Sequence, residues 1–417
     1  MDFEQTDARE VRRIRIQREL PSEINIRTSG RTLFKKCRRL WGWTTSFKGN
    51  LEVNIRPIYF WFGTGMHFAL EDFHGNNYYE HPAAAFLAYY EATKQAKLAP
   101  PEAREMMPLA LGMMVYYKDY WLEQDGREKL DVLYVDGVPQ AEVRFRIPLP
   151  IEGPQGQKVF YQGTFDGIME DEHGRLWIKE YKSAKNFVTG HFDTDTQITS
   201  YCWAAQTIYG RPVAGVMYQQ HKKAFPSPPK LLKTGKVSTS KNMSTTPRMY
   251  AHALKETYGS IEVAPTECRA YLNGLIKGSN GDDFWAADKF IRQDYIYRNQ
   301  FQIAAEGEKI LLEVEEMLRE GLPLYPTPTR DCSWQCPLES ACIAMDDGSD
   351  YESLLLSLTH EREEESEEWR TLLPLEIPQI PEYSKRLAPL EVPEEELQQE
   401  TPKDPQQGLL DLLELDW

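Results

Sequence analysis

Apolar and polar residues change their period several times along this chain, and each change marks an element. From Val159 to Ile168 the pattern is that of a β-strand, and from Leu176 to Lys182 that of a second. Between them Glu170-Asp171-Glu172-His173-Gly174 has the Asp and Gly that a tight turn favours. Side chains alternate across a strand, so Glu180 and Lys182 continue the row begun by Leu176 and Ile178. Two strands precede this hairpin, Leu130 to Val135 and Ala141 to Leu149, with Asp136-Gly137 as a turn. In the second, Val143, Phe145 and Ile147 alternate with Glu142, Arg144 and Arg146. Helical spacing begins near Gly63, where His67 and Glu71 fall one turn apart, and fills residues 81–123 apart from a break at Pro100-Pro101. Asp195-Thr196 caps a predicted helix that runs to Tyr209 and stops at Gly210, and Val213 to Gln220 follows as a strand. Phe290, Ile291, Tyr295, Ile303, Ile310, Val314 and Met317 predict one long helix from Asp282 to Glu320. Helix, strands, helix, strand is the order of an α/β sandwich around a mixed sheet.

Composition changes this picture at the C-terminal end. Of 64 acidic and 48 basic residues in 417, 21 and 5 lie between Asp346 and Trp417, which leaves 43 of each in the body. The formal charge of −16 is therefore a property of the tail, an acidic and Pro-rich stretch expected to be disordered. A neutral body is free to carry a local basic groove. From Tyr218 to Lys255 there is no acidic residue, and Lys222, Lys223, Lys230, Lys233, Lys236, Lys241 and Arg248 sit among Pro, Gly and Ser. This reads as a basic loop (221–255) that contacts phosphates, against the plainer alternative of an ordinary surface loop. No apolar run approaches a membrane span and the N-terminus lacks the apolar stretch of a secretory signal, so a cytoplasmic chain without membrane contact is expected.

Two groups of residues carry candidate chemistry. An apolar strand face that ends in Glu180 and Lys182, beside a strand bearing Asp166, is an unusual finish for a core strand. It puts two oxygen ligands and one cation around a point, which suits a divalent metal and a phosphate. The plain alternative is that Glu-x-Lys is a common surface tripeptide in a chain with 27% charged residues. The second group is Cys332-x3-Cys336-x5-Cys342, a metal-ligand spacing in a chain whose thiols are expected to stay reduced. Cys202 and Cys268 read as ordinary buried thiols, and the methionines and aromatics of 81–123 as core.

Taken in order, His67, Asp166, Glu180-x-Lys182, Gln197-x-x-x-Tyr201, and Cys37 with Cys332, Cys336 and Cys342 resemble the RecB-like branch of the PD-(D/E)xK nucleases. The resemblance spans roughly residues 30–345 and lies in the iron–sulfur branch, with the CRISPR-adaptation exonucleases, the AddB-type nucleases and phage exonucleases. No G-x-x-x-x-G-K-[ST] stretch is present, so the chain does not resemble a complete helicase–nuclease. The resemblance implies a PD-(D/E)xK restriction-endonuclease-like core, a mixed central sheet flanked by helices, with helical additions and an iron–sulfur staple. It implies an N-terminal segment (1–60) carrying Cys37, a nuclease domain (61–345) with a helical insertion (81–123), and the tail (346–417).

The implied activity is metal-dependent hydrolysis of DNA, as an exonuclease of replication, recombination or repair in a phage or prokaryote. His67, Asp166, Glu180 and the Tyr181 carbonyl would hold Mg²⁺ or Mn²⁺. Lys182 would orient the water, and Gln197 and Tyr201 would position the lysine or the DNA strand. Glu142 reads either as an outer carboxylate of this site or as a solvated partner of Arg144. The four cysteines would hold a [4Fe–4S] cluster, with zinc the competing occupant. DNA is the implied partner, and a replication or recombination protein could dock on the tail, whose Leu409 to Leu415 is apolar enough for a short helix. The alternative is a non-catalytic DNA-binding accessory protein, or one active only with a partner, that keeps the fold.

Overall fold

The longest strand organises the molecule because four others pair with it. The computed structural model describes residues 21–54, 57–75, 81–123, 130–188, 190–240, 242–277, 289–362 and 371–372. The strands are β1 (Glu23–Arg27), β2 (Leu51–Val53), β3 (Leu130–Val132), β4 (Tyr134–Val135), β5 (Val138–Pro139), β6 (Ala141–Glu152), β7 (Lys158–Asp171), β8 (Leu176–Ala184), β9 (Val213–Lys222), β10 (Ile291–Tyr297), β11 (Thr359–Glu361) and β12 (Thr371–Leu372). The helices are α1 (Thr28–Lys36), α2 (Arg38–Thr44), α3 (Ile58–Gly75), α4 (Pro82–Gln95), α5 (Ala103–Glu123), α6 (Thr196–Tyr209), α7 (Pro247–Tyr258), α8 (Thr266–Lys277), α9 (Gln300–Leu318), α10 (Cys332–Gln335), α11 (Glu339–Asp347) and α12 (Tyr351–Leu358). The central sheet is mixed, in the order β10-β9-β8-β7-β6-β12, with β1 and β3 also paired to β7.

The register shows how β7 is shared. β6 runs antiparallel to it (Val143↔Phe165, Arg146↔Gln162), and β1 runs parallel over the same stretch (Asn25↔Phe160, Arg27↔Gln162). A strand has only two edges, so β1 must lie on the edge opposite β6. β8 pairs with β7 from Gly167↔Lys179 to Glu170↔Leu176, where β3 takes the other edge (Val132↔Met169). β1 and β8 therefore share one edge of β7, and Gly163 to Asp166 lie between the two pairings.

Helices cover both faces. Phe62, Met66, Ala69, Leu70 and Phe73 form the buried side of α3, against α4 and α5. Gly65 permits this approach, because a Cβ there would meet the Phe86 and Tyr89 rings at 2.8 Å. On the other face α6 lies beside α9. The buried guanidinium of Arg31 ties α1 to both, donating to Ser200 Oγ (2.9 Å), Glu306 Oε1 (2.9 Å) and Glu313 Oε2 (2.6 Å). An unpaired charge there would be costly, but this one has carboxylate partners.

Several expected elements are present as read. Asp136 (φ +51°) and Gly137 (φ +76°) turn β4 into β5. The Asp195 side chain accepts from Gln197 N and Ile198 N to cap α6, and Gly210 (φ +60°) ends it. The α4–α5 pair breaks at Pro100-Pro101.

Four expectations need correction. The single helix from 282 to 320 is a strand, β10, and then a helix, α9, started afresh by an Asn299–Gln302 capping box. Residues 278–288 lie outside the described part. The basic loop ends in a helix: Pro247 occupies the first turn of α7, where its missing N–H costs nothing, and Thr246 caps it. With α8, α7 encloses a small core of Val237, Tyr250, Leu254, Ala264, Cys268 and Leu272.

α3 runs across the boundary at residue 60, and β1 from before it pairs into the central sheet; α11 runs across that at 346, with α12 and β11 beyond it. β11 pairs with β2 (His360↔Glu52), and Trp43 packs with Leu338, Ala341, Tyr351 and Leu355. Contacts divide the chain after Gln379, and the unit from Ile380, with the apolar Leu409 to Leu415, lies outside the described residues. No helix among the described residues is long and apolar enough to cross a membrane.

Candidate metal centre and substrate cleft

Where β1 and β8 leave the middle of β7 unclaimed there is a cleft of about 350 Å³. Its walls include His67 of α3, Asp166 of β7, Glu180 and Lys182 of β8, and Gln197 and Tyr201 of α6. Four elements thus bring the expected residues to one place.

The register around Ala141↔Gly167 and Val143↔Phe165 sets Glu142 directly across from Asp166. Two carboxylates so placed repel one another. His67 answers both: its Nδ1 lies 3.0 Å from Glu142 Oε1 and 3.2 Å from Asp166 Oδ1. One ligand atom from each of the three residues falls within 4.8 Å of the other two. Glu142 is therefore part of the group. Its backbone has φ +45°, a conformation that costs a non-glycine residue energy and collects at functional sites.

Asp166 Oδ2 accepts the backbone N–H of Tyr181 at 2.7 Å. The structure thus places the Tyr181 N–H, on Asp166. Glu180 Oε1 accepts from Gln197 Nε2 at 2.9 Å and from Lys182 Nζ. Its Oε2 is buried without a hydrogen-bond partner. Tyr201 stands edge-on to Phe145 and Phe165, ring centroids 6.0 and 5.8 Å away. Gly163 makes room, since a Cβ there would come within 2.7 Å of the Phe145 ring.

The protonation equilibria describe carboxylates crowded together in a buried setting. Burial pushes the Glu180 carboxyl up to about 7, and the charge of Asp166 adds to this against the pull of Lys182. Glu142 is pushed up by burial and then by Asp166. Burial would raise Asp166 too, but the His67 charge and hydrogen bond, Lys182 and the Tyr181 N–H hold it below its usual value. For His67 burial acts downward, yet Asp166 and Glu142 outweigh it and raise the imidazole well above 6.5. Lys182 is raised by Glu180 and Asp166 despite burial. Glu71 goes up to about 7 through burial, Glu142 and Asp72. A divalent cation fits this donor set: three converging ligand atoms, and a fourth oxygen buried with nothing to bind.

The four cysteines expected to act together come from the first and last helices of the fold. Cys37 separates α1 from α2, Cys332 and Cys336 bracket α10, and Cys342 lies in α11. All four are half-buried free thiols. Lys36 Nζ donates to Gln335 Oε1 at 2.8 Å, and Arg39 Nη1 to Cys342 Sγ at 3.1 Å. Burial pushes the Cys336 thiol up, and Cys332, Cys37 and Cys342 are near enough to add to that. Among the described residues no three of the sulfurs come within 4.8 Å of one another. Cys202 and Cys268 are buried as expected, the former pushed up to about 12 by burial.

The residues expected to contact phosphates are elsewhere. Lys236 pairs with Glu267 at 3.3 Å, and Lys223 Nζ sits 5.1 Å from the Phe62 ring. Lys222 is half-buried at the end of β9; Lys230, Lys233 and Arg248 are exposed; Lys241 lies outside the described residues. The cationic lining of the cleft is Arg27, Arg144 and Arg146, besides Lys182. Sequence reasoning missed these arginines, although the alternation of Arg144 and Arg146 with apolar neighbours was visible.

No protein-family model matches the chain, and no curated protein matches it. Among solved structures it is similar to one described as "Crystal structure of SSO0001", at 10% identity and a TM-score of 0.22, over 52% of this chain and 69% of that one. At that score the likeness carries no argument about fold or function.

Proposed function

We propose that this protein is a metal-dependent deoxyribonuclease with a PD-(D/E)xK core, acting as an exonuclease. The observation that carries the reading is the convergence of His67, Glu142 and Asp166 at a cleft lined also by Glu180, whose second oxygen is buried and unpartnered. His67, Glu142, Asp166 and Glu180 would hold Mg²⁺ or Mn²⁺. When bound, the cation lowers the pKa of water and offsets charge on the phosphate.

The chain's own groups do the rest. Lys182 keeps its proton in this setting and offers a donor at the cleft wall beside Glu180. Gln197 holds Glu180 Oε1, and Tyr181 holds Asp166 through its N–H, so neither carboxylate turns away. Tyr201, protonated because burial and Glu180 raise its pKa, forms an aromatic wall against which a base or sugar can rest.

Cys37, Cys332, Cys336 and Cys342 would hold a [4Fe–4S] cluster, joining the first helices to the last ones. The support is their convergence from opposite ends of the fold and their thiol chemistry. Anaerobic protein with visible absorption and iron content, both lost in Cys336→Ala, bears this out; stoichiometric zinc without iron gives the site to zinc instead.

The test of the main reading is degradation of end-labelled DNA with Mg²⁺ or Mn²⁺, beside Glu180→Ala and Lys182→Ala. Cutting in the wild type that falls at least about 10²-fold in both variants supports it, and progressive loss from the label supports an exonuclease. DNA binding without cutting in any metal makes the chain an accessory protein.

A further inference from the structure

β6 carries more than one member of the site. Glu142, Arg144 and Arg146 occupy alternate positions on the strand, while Val143, Phe145 and Ile147, each following one of them, are buried. Across the register Glu142 faces Asp166, Arg144 faces Thr164 and Arg146 faces Gln162. All of these except Glu142 line the cleft, and Glu142 reaches it through His67. Two residues of strand span about 7 Å. The cleft is therefore a line of stations at even spacing: a cation-binding pair, then an arginine with a hydroxyl, then an arginine with an amide.

The second arginine is held in place before anything binds. Arg146 Nε and Nη2 donate to Asn25 Oδ1 at 3.2 and 3.0 Å, Nη2 also donates to Glu23, and the guanidinium lies 3.7 Å above the Phe160 ring. The Nη1 end takes no hydrogen bond among the described residues and is the donor left to the cleft.

We infer that β6 is a phosphate track: the phosphate being cut lies beside Glu142 and Asp166, the next at Arg144 and the one after at Arg146. A step of about 7 Å is the order of one nucleotide in an extended strand, so the spacing suits a polynucleotide better than a mononucleotide. This rests on the nuclease reading and assigns to β6 the role expected of the basic loop. The enzyme then needs at least two further phosphates on one side of the cut.

The test reads binding and cutting separately. Fluorescence anisotropy with labelled single-stranded oligonucleotides, at several salt concentrations, gives Kd and the slope of log Kd against log salt. Each lost phosphate contact lowers that slope by about 0.7. Arg144→Gln and Arg146→Gln are each expected to weaken binding about tenfold and to lower the slope by that amount. Arg146→Lys keeps the slope and guards against misfolding of Arg146→Gln through β1. Lys236→Ala is expected to change neither. For the wild type, kcat/KM rises steeply from a dinucleotide to a tetranucleotide and then levels.

Unchanged slopes in both arginine variants, or a fall in Lys236→Ala instead, overturn the track. A wild type that cuts neither oligonucleotides nor a small phosphodiester, with slopes that still fall at the arginines, overturns the nuclease reading and leaves the track as a binding groove.

Discussion

The backbone N–H of Tyr181 donates to the carboxylate of Asp166 at 2.7 Å, so the residue between Glu180 and Lys182 is fastened to the neighbouring strand by a side chain. An amide at 166 can still accept that bond, but a methyl group cannot. Asp166→Asn is expected to keep its fold and lose metal binding and at least about 10²-fold in activity. Asp166→Ala is expected to lose a further 1–3 kcal/mol or so of stability by leaving a buried N–H unpaired. Thermal melts beside metal titration of the two variants check the contrast.

Glu180 is placed for chemistry at the expense of stability. Burial holds its carboxyl up at about 7, so the folded chain takes on this charge at higher pH than the unfolded chain does. The sign follows from linkage: a carboxyl raised above its unfolded value near 4.3 costs stability progressively as pH climbs from about 4 to about 7. Glu180→Gln, which keeps an acceptor for Lys182 and Gln197, is expected to be more stable than wild type at pH 8 by on the order of 2–4 kcal/mol, and inactive. The difference is expected to vanish near pH 4, which chemical denaturation at both pH values measures.

Metal binding is expected to release protons. His67 is raised, so stabilisation from its ion pairs is complete below about 6.5 and is lost as pH rises through the higher folded value. Asp166 is depressed, so its contribution is present above about 3.9 and is lost only as pH falls through the lower folded value. Glu142 and Glu180 add their own cost as pH rises. The metal-free protein should therefore lose stability as pH rises from about 4 through about 7, and further as His67 deprotonates, whereas saturating Mn²⁺ should reverse the trend because it binds the deprotonated donors. Calorimetry in buffers of different ionisation enthalpy counts the protons, and a proton-neutral binding event would refute this account.

Gly163 tests the aromatic wall. An added Cβ would meet the Phe145 ring at 2.7 Å, with Tyr201 at 3.5 Å. Gly163→Ala is expected to cost roughly 1–3 kcal/mol by overpacking and to raise KM more than it lowers kcat. A Tyr201→Phe variant with unchanged KM would confine the effect to packing.

Local signals made much of this legible in the sequence. Asp195 and Gly210 bound α6 because capping and left-handed turns depend on single residues. Glu180 and Lys182 stood out because a strand's alternation is short-range. Glu142 did not, since its part depends on lying opposite Asp166 and on a backbone angle that no spacing reveals. The 282–320 stretch read as helix because its apolar residues satisfy a helical period; that β10 pairs with β9 is a non-local fact. Counting charge along the chain favoured 221–255, but where cations act depends on which face of which strand they occupy, and that favours Arg144 and Arg146.

The cleft is a gap in a hydrogen-bonded ladder, bounded by the last residue β1 claims on β7 and the first that β8 claims. Its length is counted in peptide units, and no side-chain substitution alters that count. Residues on its walls are free to drift toward other sequences or other polymers while the opening stays the same size. To lengthen it, a whole strand would have to slip along its neighbour, and a slip of one residue would turn every wall residue into the core.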